Sequence, residues 1–477
     1  MSASKFISSR WAVVVIASLS LGMRGHHIAQ EFTGYHSWRQ TQTQTTVLNF
    51  AFDDGNILNP QVNTFHNGST VQRMEFPLMQ WLFSWPYRLL SDHPAISRVL
   101  TFLMSIVSLL AFYQLVMQLS QSKLLAAVAS YCLAFSPLFY YYSINPLPDN
   151  MALMFALLGL AAISNSRVSW QRFAVAAVFL SLAAACKLPF IVFGAALLPT
   201  WLSWCRTAPK NAVITALIVL LVFIPTLTWY VWVIPTWDGN MVLNGGWDNP
   251  SNSLDILKTV WTMMLPEMLL NYASVPFFVL GIWQFIKRKM WTRSALWPVL
   301  LTTPLVVAYY LFEMHAIGKG HDYYMMPFVP ILFLTVALGA HFVLGLKPPL
   351  RKWILLPILV LPITCFLKAD VRWANGANQG QWIHAQALRN AIPKGSLCVA
   401  GNDVSQRIHH YALRRKGWAF MDDSLPEERL KEYIHQGADY LVSTSKAIEE
   451  NAAIRPYLGE IVFNSKEIRA YRLLPNN

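Results

Sequence analysis

The chain has 477 residues, of which 55% are hydrophobic and only 13% are charged, and its mean hydropathy is +0.37. Soluble domains carry roughly 25% charged residues, so this composition excludes an ordinary soluble protein. The net charge of +13 does not indicate nucleic-acid binding, because Lys and Arg fall mainly in short loops and form no basic stripe with interleaved aromatics. The five cysteines lie mostly in apolar segments and predict no disulfide framework.

Apolar runs recur along the first three-quarters of the chain, many of them about 20 residues long, which is the length that crosses roughly 30 Å of hydrocarbon. They predict a polytopic α-helical membrane protein with about eleven spans, unless one pair of the shorter runs forms a re-entrant hairpin. The predicted spans lie near residues 7–23, 99–119, 124–142, 150–164, 172–186, 188–204, 211–234, 270–286, 294–312, 324–345 and 353–367. The first run is predicted to remain uncleaved, because the residues after it form a poor signal-peptidase site.

Basic residues predict the orientation of these spans. With a cytoplasmic N-terminus, the short basic loops fall on the inner side, among them Lys123 and the segments 287–293 and 347–352. Residues 24–98 then form one long exterior loop, and an odd number of spans places residues 368–477 outside as well. The exceptions to the charge rule all lie in the long loop, which is where the rule holds least; they are Arg24, Arg39, Arg73 and Arg88.

The chain is therefore expected to have a membrane domain at 1–367, which includes the exterior loop 24–98, and a soluble α/β domain at 368–477. In the latter, "SLCVAGND" and "ADYLVSTS" are typical of strands, and "EIVFNSKEIRAYRLL" is typical of a closing hairpin. "PEERLKEYIHQG" has acids first and Gly last, which predicts a helix.

The first exterior loop contains "HSWRQTQTQTTVLNF" at 36–50, whose spacing predicts a helix along the membrane surface. A plain interfacial helix is one interpretation. The concentration of His36, Trp38, Arg39 and Gln40 at its start favours a polar binding pocket.

Three ionisable residues at predicted span ends are candidates for chemistry. Glu75 in "RMEFPLMQW" borders an apolar stretch, where burial would suit a general base; the alternative is a surface carboxylate paired with Arg73. Asp149 in "NPLPDN" opens a span, as a second candidate base or as a helix cap. Lys187 ends a span on the outer side, where it either contacts an anionic headgroup or snorkels.

The segment "HDYY" opens the tenth span. Interfacial tyrosines are ordinary in membrane proteins, but His321, Asp322 and Tyr323 together favour contacts with phosphate or sugar hydroxyls. The chain has no HExxH or CxxC pattern, no Walker loop and no GxGxxG after a strand. We therefore predict no metal site, no cofactor and no nucleotide-driven transport.

Five motifs in order resemble the GT-C superfamily of polyprenyl-phosphate-sugar-dependent glycosyltransferases, near the bacterial protein O-mannosyltransferase-like proteins and the lipid A aminoarabinose transferase. They are "SWRQTQTQTTVLNFAFDDGNILNP", "RMEFPLMQW", "PLPDNMALMFALLGL", "AAACKLPFIVFGAALLP" and "HDYYMMPFVPILFL", and the resemblance covers roughly residues 10–345. This chain departs from the family where Arg39 and Gln40 replace an acidic pair, and where Phe76 replaces a Lys.

The resemblance implies an enzyme of the bacterial inner membrane with its active site on the exterior, periplasmic face. It would move a sugar from a polyprenyl-phosphate donor to a glycan, lipid or protein acceptor. Glu75, Asp149 or His36 would be the base; Trp38 would stack on the sugar. The donor ligands would be Arg39, Gln40, Lys187, His321, Asp322 and Tyr323. The alternatives are a lipid-linked-glycan polymerase or ligase, a non-catalytic envelope assembly protein and a transporter.

The topology can be tested with single cysteines at Asn67 and Asn477. Because residues 24–98 and 368–477 are both predicted to be exterior, an impermeant thiol reagent should label both positions in intact spheroplasts. Labelling of only one position would contradict the eleven-span topology.

Overall fold

The computed structural model describes residues 11–164, 168–237, 253–318, 320–374, 379–421 and 424–475; the labelling position Asn477 lies outside them. By internal packing the chain divides into two units. The helical unit contains the described residues of Met1–Ile28, Met74–Met79 and Ser97–Asp370. The sheet unit contains those of Ala29–Arg73, Gln80–Ile96 and Val371–Asn477.

The helices, several of which include 3₁₀ turns, are numbered here in chain order. They are α1 (Trp11–Gly22), α2 (Ser37–Phe52), α3 (Leu78–Leu89), α4 (Ala95–Ser120), α5 (Lys123–Ala134), α6 (Pro137–Tyr142), α7 (Pro148–Ile163), α8 (Trp170–Cys186), α9 (Leu188–Thr207), α10 (Pro209–Thr236), α11 (Ser253–Thr259), α12 (Val275–Lys287), α13 (Ser294–Gly318), α14 (Asp322–Leu344), α15 (Pro348–Trp373), α16 (Gly380–Ile383), α17 (Ala385–Ala391), α18 (Ile408–Leu413), α19 (Glu427–His435) and α20 (Lys446–Glu450). A π-helical stretch, Val260–Leu269, follows α11.

Within the described residues, each apolar run named as a span is mainly helical, with breaks at 135–136 and 270–274. Six of these helices are long and apolar enough to cross a membrane, namely α4, α9, α10, α13, α14 and α15. The other five are shorter apolar helices, namely α1, α5, α7, α8 and α12. The chain is therefore a mostly helical membrane protein, while the number of helices that cross stays a prediction.

Glycines allow α12 and α14 to pack closely. A Cβ added to Gly339 would lie 1.8 Å from the carbonyl oxygen of Phe277, and one added to Gly281 would lie 2.0 Å from that of Thr335. Small residues permit such an approach of backbones, which is how membrane helices gain van der Waals contact.

The sheet unit is built on seven strands, which lie in the order β2-β1-β4-β3-β5-β7-β6. They are β1 (Gln61–His66), β2 (Ser69–Val71), β3 (Leu397–Gly401), β4 (Gly417–Ala419), β5 (Ala438–Ser443), β6 (Leu458–Asn464) and β7 (Arg469–Leu473). The two strands, the helix α19 and the closing hairpin expected after residue 395 are all present. Strands β1, β2 and β4 were not predicted.

The first loop contributes the hairpin β1–β2 to this sheet. Its turn is Asn67-Gly68, where both residues have a positive φ, as tight hairpin turns require. β1 pairs in parallel with β4, with Thr64 opposite Gly417. The Asn63 side chain donates to the carbonyl oxygen of His410 at 3.2 Å.

Acidic residues of the first loop pair with basic residues near the sheet. The ion pairs are Asp92–Arg414 (2.7 Å), Asp53–Lys416 (2.9 Å) and Glu31–Arg389 (3.9 Å). Because several of these groups are exposed, each pair adds little stability. Together they specify which part of the C-terminal segment the loop contacts.

The helix predicted at 36–50 is present as α2, but its burial differs from that of a surface helix. Every residue from Arg39 to Phe50 is buried, so α2 has no solvated face. Thr43 and Thr45 donate to the carbonyl oxygens of Arg39 and Thr41. These bonds let polar side chains be buried without separate partners, which is why a polar sequence forms an interior helix.

The close contact of Gly339 with α12 predicts that even an added methyl group lowers thermal stability. Gly339→Ala should lower the melting temperature of the purified protein in detergent, because overpacking costs about 1–3 kcal/mol. Gly22→Ala is the matched control, since a Cβ there meets nothing within 4 Å. Equal melting temperatures for the two variants would contradict the close packing of α12 and α14.

Candidate active site

The segment that contains Glu75 is fixed to the ends of α8 and α10 within the helical unit. The Phe76 amide donates to the carbonyl oxygen of Ala185 at 3.0 Å, and the Trp229 indole donates to that of Met74 at 3.0 Å. The Phe76 and Trp229 rings meet edge to face at 5.1 Å. Glu75 is thereby held buried beside the last turn of α8.

A second carboxylate, Asp149, converges on the same helix end. Both Glu75 and Asp149 lie within electrostatic reach of the Cys186 thiol and the Tyr230 hydroxyl. The Tyr230 hydroxyl donates to the carbonyl oxygen of Ala185 at 2.9 Å. Two carboxylates that are far apart in sequence therefore share one neighbourhood.

Lys187 supplies the positive charge of this neighbourhood. Its ammonium lies 3.7 Å from Asp149 Oδ2, and the two side chains are only 12% and 1% exposed. α8 ends at Cys186, and Lys187 follows it with an extended backbone; Asp149 is in the first turn of α7. A cation at a helix C-terminus and an anion at a helix N-terminus both complement the helix dipoles.

Aromatic rings of the "HDYY" segment surround the ammonium. Lys187 Nζ lies 5.1 Å from the ring centre of Tyr324 and 5.7 Å from that of Tyr323, within cation–π range. The His321 ring lies 5.8 Å from that of Tyr323. Lys187 therefore faces the segment that sequence analysis linked with the donor.

Asp322 is oriented by a tyrosine from α6. The Tyr142 hydroxyl donates to Asp322 Oδ1 at 2.6 Å, and the Tyr142 and Tyr323 rings meet edge to face at 6.1 Å. Asp322 and Tyr323 are both buried. The start of α14 is thus an ordered part of the site.

Glu313 near the end of α13 was missed by sequence analysis. Its carboxylate interacts electrostatically with Lys187 and with Tyr309, whose hydroxyl donates to the carbonyl oxygen of Tyr324 at 3.1 Å. The available signal was an acidic residue directly after a predicted span, because an ionisable side chain at membrane depth indicates a functional site.

The other predicted residues lie at the start of α2 in the sheet unit. His36 precedes the helix with a φ of 55°, and its ring lies 4.1 Å from that of Tyr35. Gln40 donates to the carbonyl oxygen of Tyr35 at 2.8 Å, and Trp38 is half-buried. This group belongs to the sheet unit, whereas Glu75, Asp149 and Lys187 belong to the helical unit.

Arg39 contributes a buried positive charge to the sheet unit. Its guanidinium donates to Gln42 Oε1 at 2.6 Å. Burial lowers the pKa of Arg407 to about 10; Asp403 opposes this shift, and the charge of Arg39 adds to it. The two guanidinium groups are thus close enough to interact electrostatically.

A family model described as dolichyl-phosphate-mannose-protein mannosyltransferase matches residues 75–229, a stretch that contains Glu75, Asp149 and Lys187. ArnT from Cupriavidus metallidurans in the apo state aligns with a TM-score of 0.67 and 12% identity, covering 96% of this chain and 97% of ArnT. The structure of ArnT from the same organism bound to undecaprenyl phosphate aligns with a TM-score of 0.67 and 13% identity, covering 99% of this chain and 98% of ArnT. The chain has the GT-C glycosyltransferase fold.

The oligosaccharyltransferase of Archaeoglobus fulgidus shares this fold, with a TM-score of 0.61, 14% identity, and coverage of 94% of this chain and 71% of that one. A search of curated protein sequences gives no significant match. The resemblance to the GT-C superfamily drawn from the five motifs is confirmed, and the site residues stay predictions.

The ion pair of Asp149 and Lys187 can be tested by a double-mutant cycle that measures thermal stability. Lys187→Gln alone should destabilise the protein by about 3 kcal/mol or more, because it leaves a buried carboxylate without its counter-ion. The double variant Asp149→Asn/Lys187→Gln removes both charges and should recover most of the loss. Additive melting-temperature changes would show that the two side chains do not interact.

Proposed function

We propose that this protein is a membrane glycosyltransferase that moves a sugar from a polyprenyl-phosphate donor to an acceptor hydroxyl. The observation that carries the proposal is the largely buried Lys187 ammonium 3.7 Å from Asp149, in a fold shared with ArnT. Glu75 and Asp149 both act electrostatically on the neighbouring Cys186 thiol. A cation for a phosphate and a carboxylate for an acceptor proton are what such a transfer requires.

The proposed reaction is a single in-line displacement. The acceptor oxygen loses its proton to a carboxylate and attacks the anomeric carbon, while the bond from that carbon to the phosphate oxygen breaks. Lys187 stabilises the negative charge that develops on the departing polyprenyl phosphate. The configuration at the anomeric carbon is inverted, because only one displacement occurs.

Glu75 is the proposed base. Asp149 already neutralises Lys187 at 3.7 Å, so its role is to hold the cation in place. Glu75 is buried beside the same helix end, where a carboxylate can accept the acceptor's proton. His36 belongs to the sheet unit and is the second candidate.

The remaining assignments concern donor recognition. His321, Asp322 and Tyr323, which form the start of α14, are proposed to contact the donor phosphate or sugar. In the sheet unit, Trp38 is proposed to stack on a sugar face. Arg39 and Gln40 are proposed to bind hydroxyls or phosphate through charge-assisted hydrogen bonds.

The proposed location is a bacterial inner membrane, with eleven spans and with the active site and the sheet unit on the exterior, periplasmic side. The segregation of basic loops supports this orientation. The family match and the ArnT-like fold favour a transferase over a polymerase or ligase, an assembly protein or a transporter. A glycan, a lipid or a protein is the proposed acceptor class.

The activity can be tested with the full-length protein in nanodiscs. Synthetic polyprenyl-phosphate hexoses and pentoses are added with an envelope extract, and mass spectrometry measures free polyprenyl phosphate and glycosylated product. Surface glycans from cells with and without the gene identify the acceptor. Absence of donor cleavage with every sugar, together with unchanged glycans, would overturn the proposal.

Two variants should separate proton transfer from donor binding. Glu75→Gln should lower the transfer rate by about 10²–10⁴ and keep donor affinity. Asp149→Asn/Lys187→Gln should weaken donor binding by about tenfold or more, since a charge-assisted bond to phosphate is lost. Donor affinity is measured by titration with a fluorescent polyprenyl phosphate. Wild-type turnover of Glu75→Gln would move the base to His36.

A further inference from the structure

A cluster of two histidines and an aspartate lies in the helical unit, away from Lys187 in the sequence and outside the proposed chemistry. His26 and His27 occupy the 3₁₀ turn that follows α1, and Asp370 is on α15. One ligand atom from each of the three residues lies within 4.8 Å of the others. We propose that these residues bind a Zn²⁺ ion, contrary to the prediction from sequence motifs that the chain has no metal site.

The distances fit a shared cation better than hydrogen bonds alone. His27 Nε2 lies 3.3 Å from Asp370 Oδ1, which is a usable hydrogen bond. His26 Nε2 points at the same oxygen from 3.9 Å, too far for a hydrogen bond. Two imidazole nitrogens and a carboxylate oxygen that lie within 4.8 Å of one another can all be ligands of one metal ion.

The spacing also fits the size of zinc. Ligands at about 2.0–2.1 Å from a tetrahedral Zn²⁺ are separated by roughly 3.3 Å. The His27–Asp370 distance of 3.3 Å meets this value, the His26–Asp370 distance of 3.9 Å is somewhat longer, and no two of the three ligand atoms are more than 4.8 Å apart. Imidazole and carboxylate suit this borderline ion, and three protein ligands leave one coordination position for water.

The turn that carries the histidines is held in place by its neighbour. The Arg24 guanidinium is buried and donates to the carbonyl oxygen of Tyr140. It also lies 4.2 Å from the centre of the Tyr140 ring. His27 is buried, whereas the side chains of His26 and Asp370 are about half exposed. Two ligands are therefore reachable by an ion from solvent.

The cluster lies at two of the three places where the chain passes from the helical unit to the sheet unit. His27 directly precedes Ile28, the last residue of the first helical stretch, and Asp370 is the last residue of the third. A bound ion would tie α1 to α15 there. The inference is independent of the transferase activity.

The test uses the full-length protein in detergent, purified without a histidine tag and stripped with a chelator. Zinc content after equilibration in a chelator-buffered zinc series is measured by elemental mass spectrometry. Wild type should bind one Zn²⁺ per chain, and His27→Ala and Asp370→Asn should bind at least about tenfold more weakly. Zinc should raise the melting temperature of wild type but not that of these variants.

His384→Ala is the matched control. His384 also pairs with a carboxylate, Glu467, at 3.1 Å, but within the described ranges no third ligand joins that pair. This variant should bind zinc like wild type. Equal zinc binding by wild type and Asp370→Asn, or no zinc bound by wild type, would overturn the proposal. Metal-free melting temperatures of the variants show whether any loss reflects misfolding.

Discussion

The buried charge of Lys187 is the constraint on which the candidate site depends. An ammonium in a low-dielectric interior is costly unless a counter-ion and polarisable groups are close to it. Asp149, the Tyr323 and Tyr324 rings and Glu313 all serve this purpose. They come from α7, α13 and α14, so one charge fixes how the ends of several helices meet.

Much of the helical unit was predictable because its signal is local. An apolar run long enough for a membrane specifies its own helix, since every backbone bond is made within the segment. Asp149 and Lys187 were recognised for the same reason: each stands alone at the end of such a run. Glu313 was missed because its partner, Lys187, is more than one hundred residues away and no local pattern links them.

The sheet unit was predictable only in part. Strands β3, β5, β6 and β7 alternate or are bounded by turn residues, so their existence could be inferred. β4 has three residues and is a strand only because β3 and β1 flank it. The Asn67-Gly68 pair is typical of a hairpin turn, but β1 and β2 were not predicted from it, and nothing in the sequence indicated that β1 would pair with residues after 400.

The arginines of the first loop broke the charge rule for orientation, and their contacts show what they do instead. Each donates to at least one neutral oxygen. The partners are the Tyr140 carbonyl for Arg24, Gln42 for Arg39, the Leu58 carbonyl and Asn59 for Arg73, and the Phe50 carbonyl for Arg88. A loop with many amides and hydroxyls supplies such acceptors.

The parallel pairing of β1 with β4 has a consequence for folding during translation. Thr64 and Gly417 are partners, yet the ribosome makes them roughly 350 residues apart, which at about 5–20 residues per second is tens of seconds. Throughout that time the edge of β1 that pairs with β4 is unpaired, and an unpaired strand edge promotes aggregation. β1 is short, and charged residues lie near it. Both features limit edge-to-edge aggregation of the nascent chain before β4 is synthesised.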